Sequence, residues 1–159
     1  ERYKYTDVAQ IFAPDYGLNL GRIDIPVNPY EVFRCDVPNL STSLYFVLND
    51  LFYDKALPKA TLPEGVIISS LGKAGEEFPE VVKRCYGQLA RPGKDAINAL
   101  NTMLAQDGLF IYVPRGLVVD RTIQVINIPR SYVDLMVNRR VLIVLEEGAQ
   151  APARVRAPQ

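Results

Sequence analysis

The residue types that most often do chemistry in proteins are few in this sequence and stand far apart. No histidine occurs among the 159 residues, and there are only two cysteines, Cys35 and Cys85. Catalysis by Ser/His/Asp or Cys/His groups needs a histidine, as does nearly every ligand set of a zinc enzyme. No Walker A loop and no GxGxxG pattern is present either. The sequence therefore predicts no catalytic, cofactor-binding or metal-binding residue in this chain.

Two pairs of adjacent charged residues remain as candidates for chemistry. Glu146 and Glu147 are neighbouring carboxylates, but neighbours on a strand point to opposite faces and cannot both address one substrate atom. We interpret them as a solvated strand end before Gly148. Arg139 and Arg140 could bind an anion, although consecutive arginines beside an apolar strand are more typical of a surface corner.

Charge balance and cysteine content narrow the class of protein. Lysine plus arginine equals aspartate plus glutamate, at 18 each, and no basic stripe alternates with aromatic residues. The usual electrostatic footprint of nucleic-acid binding is therefore missing. No apolar run approaches the ~18 residues of a membrane span, and no signal-peptide pattern opens the chain. We expect a cytoplasmic protein with Cys35 and Cys85 as reduced, buried thiols.

The first part of the chain predicts short elements. The first residue is glutamate, so we expect a fragment whose true start is missing. Thr6 is predicted to cap a short helix over Asp7–Phe12. Residues 13–40 contain many prolines and glycines, which permit only short strands and turns. Ser43–Tyr53 is predicted to be a hairpin that turns at its central Asn-Asp, and Gly65–Ile68 a short strand.

Three helices are predicted next. Ser70 is expected to cap a helix over Leu71–Glu77, and Pro79 suits the first turn of a second helix that reaches about Leu89. The third helix is predicted over Lys94–Gln106, with Gly108 as a left-handed stop. Its apolar stripe, which we expect to be core, consists of Ile97, Leu100 and Leu104.

Beyond Gly108 the helical period disappears and short runs rich in valine and isoleucine follow. These predicted strands are Leu109–Val113, Leu117–Val119, Ile123–Ile126 and Val141–Leu145. No helix-length segment separates them, so classical βαβ units are excluded. Many short strands with tight turns are typical of a sandwich, a barrel or a solenoid. From these residues alone a parallel β-helix and a sandwich are about equally favoured.

The most specific sequence pattern begins at the end of the third predicted helix. Gln106–Gly108 reads QDG, Phe110–Val119 reads FIYVPRGLVV, and Arg140–Gln150 reads RVLIVLEEGAQ. These segments resemble the SufB/SufD family, in which a helix ends at DG and a VP-containing strand opens a right-handed parallel β-helix. Ile123–Val125 resembles the strand that follows in the family, with Thr122 where the family often has proline.

Two patches nearer the start extend the resemblance to nearly the whole chain. Glu1–Thr6 is similar to an element typical of the SufD branch, and Leu62–Val66 to a family element that reads lp.GV. The fold expected is therefore α+β: a small mixed α/β N-terminal region over 1–106, then the first rungs of a right-handed parallel β-helix over 107–150. Residues 151–159 depart from the family, and we expect them to be a tail that does not continue the sheet.

The resemblance implies a non-catalytic scaffold subunit of the SUF system for iron–sulfur cluster assembly. In the family, SufD pairs with SufB through their β-helices and binds the ATPase SufC through C-terminal helices. SufB-like and SufC-like partners are therefore implied, with no nucleic acid and no membrane. The resemblance also implies that the iron–sulfur cluster and ATP are bound by the parent complex, and that this chain binds no cofactor. The family's cluster-assembly residues lie in later rungs, so the resemblance assigns no functional residue here.

Two other classes of function stay open on the residues themselves. A β-helix enzyme that acts on polysaccharides would need convergent carboxylates, arginine or calcium on one strand face, and the sequence shows none. A small-ligand-binding β module leaves little trace in sequence, because its pocket is mostly apolar. If the chain is a scaffold or a binding module, the apolar strand Val141–Leu145 has no following strand to cover it. This exposed strand favours homo-oligomers of the fragment.

The first prediction concerns metal and nucleotide content. The isolated chain should bind neither iron nor ATP specifically, because it has two distant cysteines, no histidine and no phosphate-binding loop. Elemental analysis after cluster reconstitution tests this expectation. A stoichiometric iron–sulfur cluster that still forms in the Cys35→Ser variant and also in the Cys85→Ser variant would contradict this expectation.

Overall fold

The computed structural model describes residues 3–18, 20, 26, 28–32, 42–55, 62–91, 93 and 95–156. Cys35 lies outside these residues. The helices are α1 (Val8–Ile11), α2 (Pro29–Val32), α3 (Leu71–Glu77), α4 (Pro79–Cys85) and α5 (Ala96–Leu104). The strands are β1 (Gly17–Leu18), β2 (Thr42–Leu48), β3 (Leu51–Phe52), β4 (Ile67–Ser70), β5 (Gly108–Val113), β6 (Thr122–Ile128), β7 (Leu135–Met136), β8 (Arg140–Leu145) and β9 (Ala153–Arg156).

Within the described residues the strands form three sheets. One has the order β3-β2-β6-β9, a second has the order β4-β5-β8, and β1 pairs with β7 in a third. None of them closes into a barrel. The fold is thus mixed α/β with several sheets, in agreement with the predicted class.

The chain stacks on itself after Gly108 by parallel pairing. Strand β8 pairs with β5, so that Leu109 faces Val141, and β9 pairs with β6, so that Ile123 faces Ala153. A single bridge between Val118 and Gln150 continues the same alignment between the two pairs of strands. In each case the partner lies about thirty residues further along the chain. Two successive turns of chain are therefore stacked in register over three segments.

The connection from β5 to β6 also stacks on the connection from β8 to β9. The amide of Gly116 donates to the carbonyl of Glu147 at 2.9 Å, and the amide of Gln150 donates to the carbonyl of Leu117 at 2.9 Å. Gly116 and Gly148 both have positive φ, at 70° and 74°. Glycine adopts this backbone readily because it has no Cβ. The two glycines therefore allow equivalent tight turns one above the other.

The main core lies between the two larger sheets. Leu109, Ile111 and Val113 alternate along β5 and are completely buried, and they pack against side chains of β2 and β6. Full burial of an aliphatic side chain contributes about 1.5–3 kcal/mol to the free energy of unfolding. The other buried members are Tyr45, Val47, Phe52, Val119, Ile123 and Val125. Burial raises the pKa of Tyr45 to about 12.

Smaller clusters cover the outer faces of both sheets. Phe110 of β5 and Val144 of β8 pack against α3, where Leu71 and Ala74 are buried, and against partly buried residues of α4. On the other sheet, Phe46 is packed edge-to-face against Tyr30 with ring centroids 4.7 Å apart. Helices therefore cover one outer face, and an aromatic cluster covers the other.

Asp107 joins the helical part to the start of β5. Its carboxylate accepts hydrogen bonds from the Ser70 hydroxyl at 2.9 Å and from the Gly72 amide at 2.8 Å. Ser70 itself accepts from the amide of Lys73, as an N-cap does. These bonds hold the beginning of α3 against the strand that opens the stacked region.

Several predicted elements are confirmed. The hairpin is formed by β2 and β3, with Asn49 and Asp50 as its two-residue turn and Asn49 at φ 56°. The helix capped by Ser70 ends at Glu77 as predicted. The short strand predicted over Gly65–Ile68 is present as β4, but it begins at Ile67, because Gly65 has a φ of 87° and belongs to the preceding turn.

Other expected bounds were wrong at the helix ends. The residue that caps α1 is Asp7 and not Thr6, because the Asp7 carboxylate accepts from the amide of Gln10. Helix α4 stops at Cys85, because Tyr86 is extended and Gly87 has a φ of 73°. Helix α5 begins only after Asp95, whose side chain caps it.

Three further expectations need correction. Gly108 is not a left-handed stop but the first residue of β5, where a Cβ would overlap the carbonyl oxygen of Arg140. Helix α5 contains no fully buried residue, so its apolar stripe is not core. The final residues do continue the sheet, since Ala153–Arg156 forms β9 against β6. In β9 a valine lies between two arginines, and alternation along the strand allows the arginine side chains to point outward.

The close contact at Gly108 generates the second prediction. Gly108→Ala should lower the free energy of unfolding by about 1–3 kcal/mol or more, because the new methyl group forces β5 and β8 apart. Gly75→Ala is the matched control: it lies in α3 with open space around it, and alanine there should stabilise by roughly 0.5–1 kcal/mol. Urea denaturation measures both variants. Equal stabilities would show that the backbones are not in contact at Gly108.

Candidate functional site

A cleft lies beside α5. Its volume is about 670 Å³, and it is lined by Tyr3, Gln88, Leu89, Ala90, Arg91, Asp95, Ile97, Asn98 and Asn101. Several polar groups on this wall already bond to the protein. The Tyr3 hydroxyl donates to the Asp95 carboxylate at 2.6 Å, and Asn101 donates to the carbonyl of Arg139 at 3.2 Å. The Tyr3 hydroxyl and the Asn101 side-chain amide are therefore already engaged within the protein.

The two arginines considered for anion binding lie in different environments. The guanidinium of Arg140 is partly buried; it donates to the amide oxygen of Asn98 at 3.0 Å and to the hydroxyl of Thr102. It also lies over the ring of Tyr86, 5.6 Å from the ring centroid. Burial lowers the pKa of Arg139, the neighbouring residue. Arg140 is thus a contact between β8 and α5, and the expectation of a surface corner is wrong for it.

The two glutamates point to different arginines. Glu146 pairs with Arg84 at the end of α4, and this hydrogen bond raises the pKa of Arg84. Glu147 pairs with Arg115, which lies in the equivalent turn of the previous layer of chain. The carboxylates therefore do not converge on one point and do not form a general acid and base pair. These ion pairs could not be predicted from local sequence, because the partners are distant along the chain.

No group of three or more histidine, cysteine, aspartate or glutamate side chains that could hold a metal ion occurs in the part of the chain that the structure describes. Cys85 is a free, half-buried thiol beside the cluster on α3 and α4. None of the described helices is long and apolar enough to cross a lipid bilayer.

A strip of apolar side chains on β8 and β9 is exposed to solvent. Val141, Ile143, Leu145 and Val155 are between 41% and 45% exposed. The first three pair in register with Leu109, Ile111 and Val113, which are completely buried. Alternation along a strand puts these residues on the same side of the sheet as the core. We call this strip the open apolar end.

The position of the open apolar end follows from the stacking. The core side chains of β5 are covered because β4 pairs with β5 on one edge and β8 on the other. Strand β8 has a neighbour on one edge only within the described chain. An apolar face with an unpaired strand edge is typical of a surface that another strand covers. The arrangement of this surface is suited to association.

The stacked strands and the open apolar end describe the arrangement of this chain, and comparison with known proteins identifies its family. Residues 1–125 match the family model described as the SufBD protein N-terminal region. The match covers well over half of the chain. The chain belongs to the SufBD family, and it corresponds to the N-terminal region of its members.

Curated relatives agree with this assignment. The chain is 28% identical over 120 residues to the iron–sulfur cluster assembly SufBD family protein ycf24 of Trieres chinensis, covering 70% of this chain and 24% of that protein. It is 30% identical over 87 residues to a SufBD family protein of Synechocystis, covering 54% and 18%. A SufBD family protein of Arabidopsis thaliana is 29% identical over 85 residues, covering 54% and 18%. The chain thus spans at most about a quarter of these relatives.

The third prediction concerns association through the open apolar end. Light scattering across a dilution series should show a concentration-dependent rise in mass for the 159-residue chain, because burial of the four apolar side chains favours contact between copies. Ile143→Lys should abolish this rise. Met103→Lys, at an exposed position of α5, is the control and should leave the rise unchanged. A monomer at every concentration would show that the end is already protected.

Proposed function

We propose that this chain is the N-terminal part of a SufD-like subunit, a non-catalytic scaffold for iron–sulfur cluster assembly. Membership of the SufBD family supports a role in iron–sulfur cluster assembly. The likeness of Glu1–Thr6 to the SufD branch supports the assignment to a SufD-like subunit. The role as a scaffold is supported by the ion pairs of Glu146 with Arg84 and of Glu147 with Arg115, which direct these two carboxylates to different arginines.

The proposal includes a parallel β-helix that begins at Gly108. The observation that carries it is the parallel pairing of two turns of chain at three successive places, namely β5 with β8, Val118 with Gln150, and β6 with β9. A sandwich would have paired neighbouring strands in antiparallel hairpins. Here residues 108–128 form the first rung and residues 140–156 the second.

The open apolar end fits a β-helix that continues in the whole protein. The relatives extend well beyond the length matched here, so further rungs have room to follow. A third rung would cover Val141, Ile143 and Leu145 as the second rung covers the first. In this proposal the cluster-assembly chemistry lies in later rungs. The iron–sulfur cluster and ATP belong to the complex and are not bound by the residues of this chain.

The partners proposed are a SufB-like subunit and a SufC-like ATPase, in a cytoplasmic complex. Both follow from the family resemblance, in which SufD pairs with SufB through the β-helices and binds SufC through C-terminal helices. The low cysteine content of the sequence is the support for a reducing compartment. The N-terminal region then supplies the folded start of the β-helix.

Affinity purification tests the proposal and is our fourth prediction. The whole gene product that carries this sequence, co-expressed with SufB-like and SufC-like proteins, should recover both in stoichiometric amounts. Ile143→Lys in that protein should reduce recovery of the SufB-like subunit, because a lysine inside the proposed β-helix disrupts the stacking of later rungs. Met103→Lys should recover both partners as before.

Two results would overturn the proposed function. Recovery of neither partner by the unmodified protein would remove the scaffold role. Specific binding or cleavage of a polysaccharide by the same protein would favour a β-helix enzyme instead.

A further inference from the structure

Helix α5 differs from α3 in how it is held to the protein. Leu71 and Ala74 of α3 are buried in the cluster on β5 and β8, whereas α5 buries no residue completely. The apolar stripe of α5 belongs to none of the three apolar clusters formed by the described residues. Apolar packing therefore contributes less to the position of α5 than to that of α3.

Polar contacts from the start of β8 reach α5 instead. Arg140 donates to Asn98 and Thr102, which are one helical turn apart and so lie on one face of α5. The hydroxyl of Thr102 donates its own hydrogen to the carbonyl of Asn98 at 2.7 Å, which leaves its oxygen directed to the arginine. One residue earlier, the carbonyl of Arg139 accepts from Asn101.

The backbone of Arg140 takes part in the stacking itself. Its amide donates to the carbonyl of Asp107 at 3.3 Å, and it faces Gly108 as the first pair between β5 and β8. The residue that begins the pairing of the two layers is thus the residue whose side chain reaches α5. If β8 separates from β5, the guanidinium moves away from the helix.

We propose that α5 is a conditionally docked helix, pinned to the body by the Arg140 side chain and released when β8 leaves β5. Its docking therefore reports whether the second layer of the stacked region is in place. Release frees the wall of the 670 Å³ cleft that Ile97, Asn98 and Asn101 form. The inference concerns this chain's own residues and does not depend on the identity of its partners.

Hydrogen exchange with mass spectrometry on the whole chain tests the contact between the Arg140 side chain and α5. Arg140→Gln should increase exchange at the amides of α5, including Ala99 and Ala105, by about tenfold or more, since locally opened segments lose protection before the core does. The amides of β5 should keep their protection. Arg139→Gln is the matched control, because its backbone carbonyl still accepts from Asn101, and it should leave α5 unchanged.

A second variant tests the same contact from the helix side. Thr102→Val has a similar shape and removes the hydroxyl that Arg140 reaches, while β8 is left intact. It should also increase exchange in α5 and leave β5 and β8 unchanged. The proposal is overturned if α5 keeps its protection in Thr102→Val, or if Arg139→Gln increases exchange as much as Arg140→Gln. An equal loss in β5 and α5 for Thr102→Val would also overturn it.

Discussion

The structure depends on the parallel pairing of β5 with β8. The two strands approach so closely at their first pair that only glycine fits at position 108. The pairing places each aliphatic side chain of β8 beside its counterpart on β5, and it puts the turn at Gly148 beside the turn at Gly116. It also fixes the position of Arg140 and with it the contacts to α5. One register therefore determines the core, the turns and the docking of a helix.

Local chemistry made several elements predictable from sequence. The hairpin at Asn49–Asp50 and the helix after Ser70 depend on neighbouring residues, so their signals are contained in short segments. The same holds for the loss of helical period at Gly108. Helix ends were less predictable, because Thr6 and the adjacent Asp7 could both cap α1 and only the folded backbone shows which side chain accepts the bond.

Long-range contacts explain what the sequence did not reveal. The stripe Ile97, Leu100 and Leu104 has a core-like period, yet the contacts that hold α5 include the guanidinium of Arg140, at the start of another strand. The terminal strand β9 was missed because its two arginines and single valine pair with β6, a strand distant in sequence. The ion pairs of Glu146 and Glu147 are equally non-local. None of these contact partners could be predicted from the type of the side chain alone.

The two ends of the stacked region are unequal, which limits how copies of the chain can join. Strand β4 runs antiparallel on β5 and the β2–β3 hairpin lies beside β6, so one end is already covered by the chain itself. The open apolar end lies on the opposite side of the stack, at β8 and β9. Head-to-tail growth into a filament needs two complementary ends, whereas two copies that meet through the same surface form a closed, symmetric pair. Contact through the open apolar end alone therefore favours a closed pair of copies over a filament.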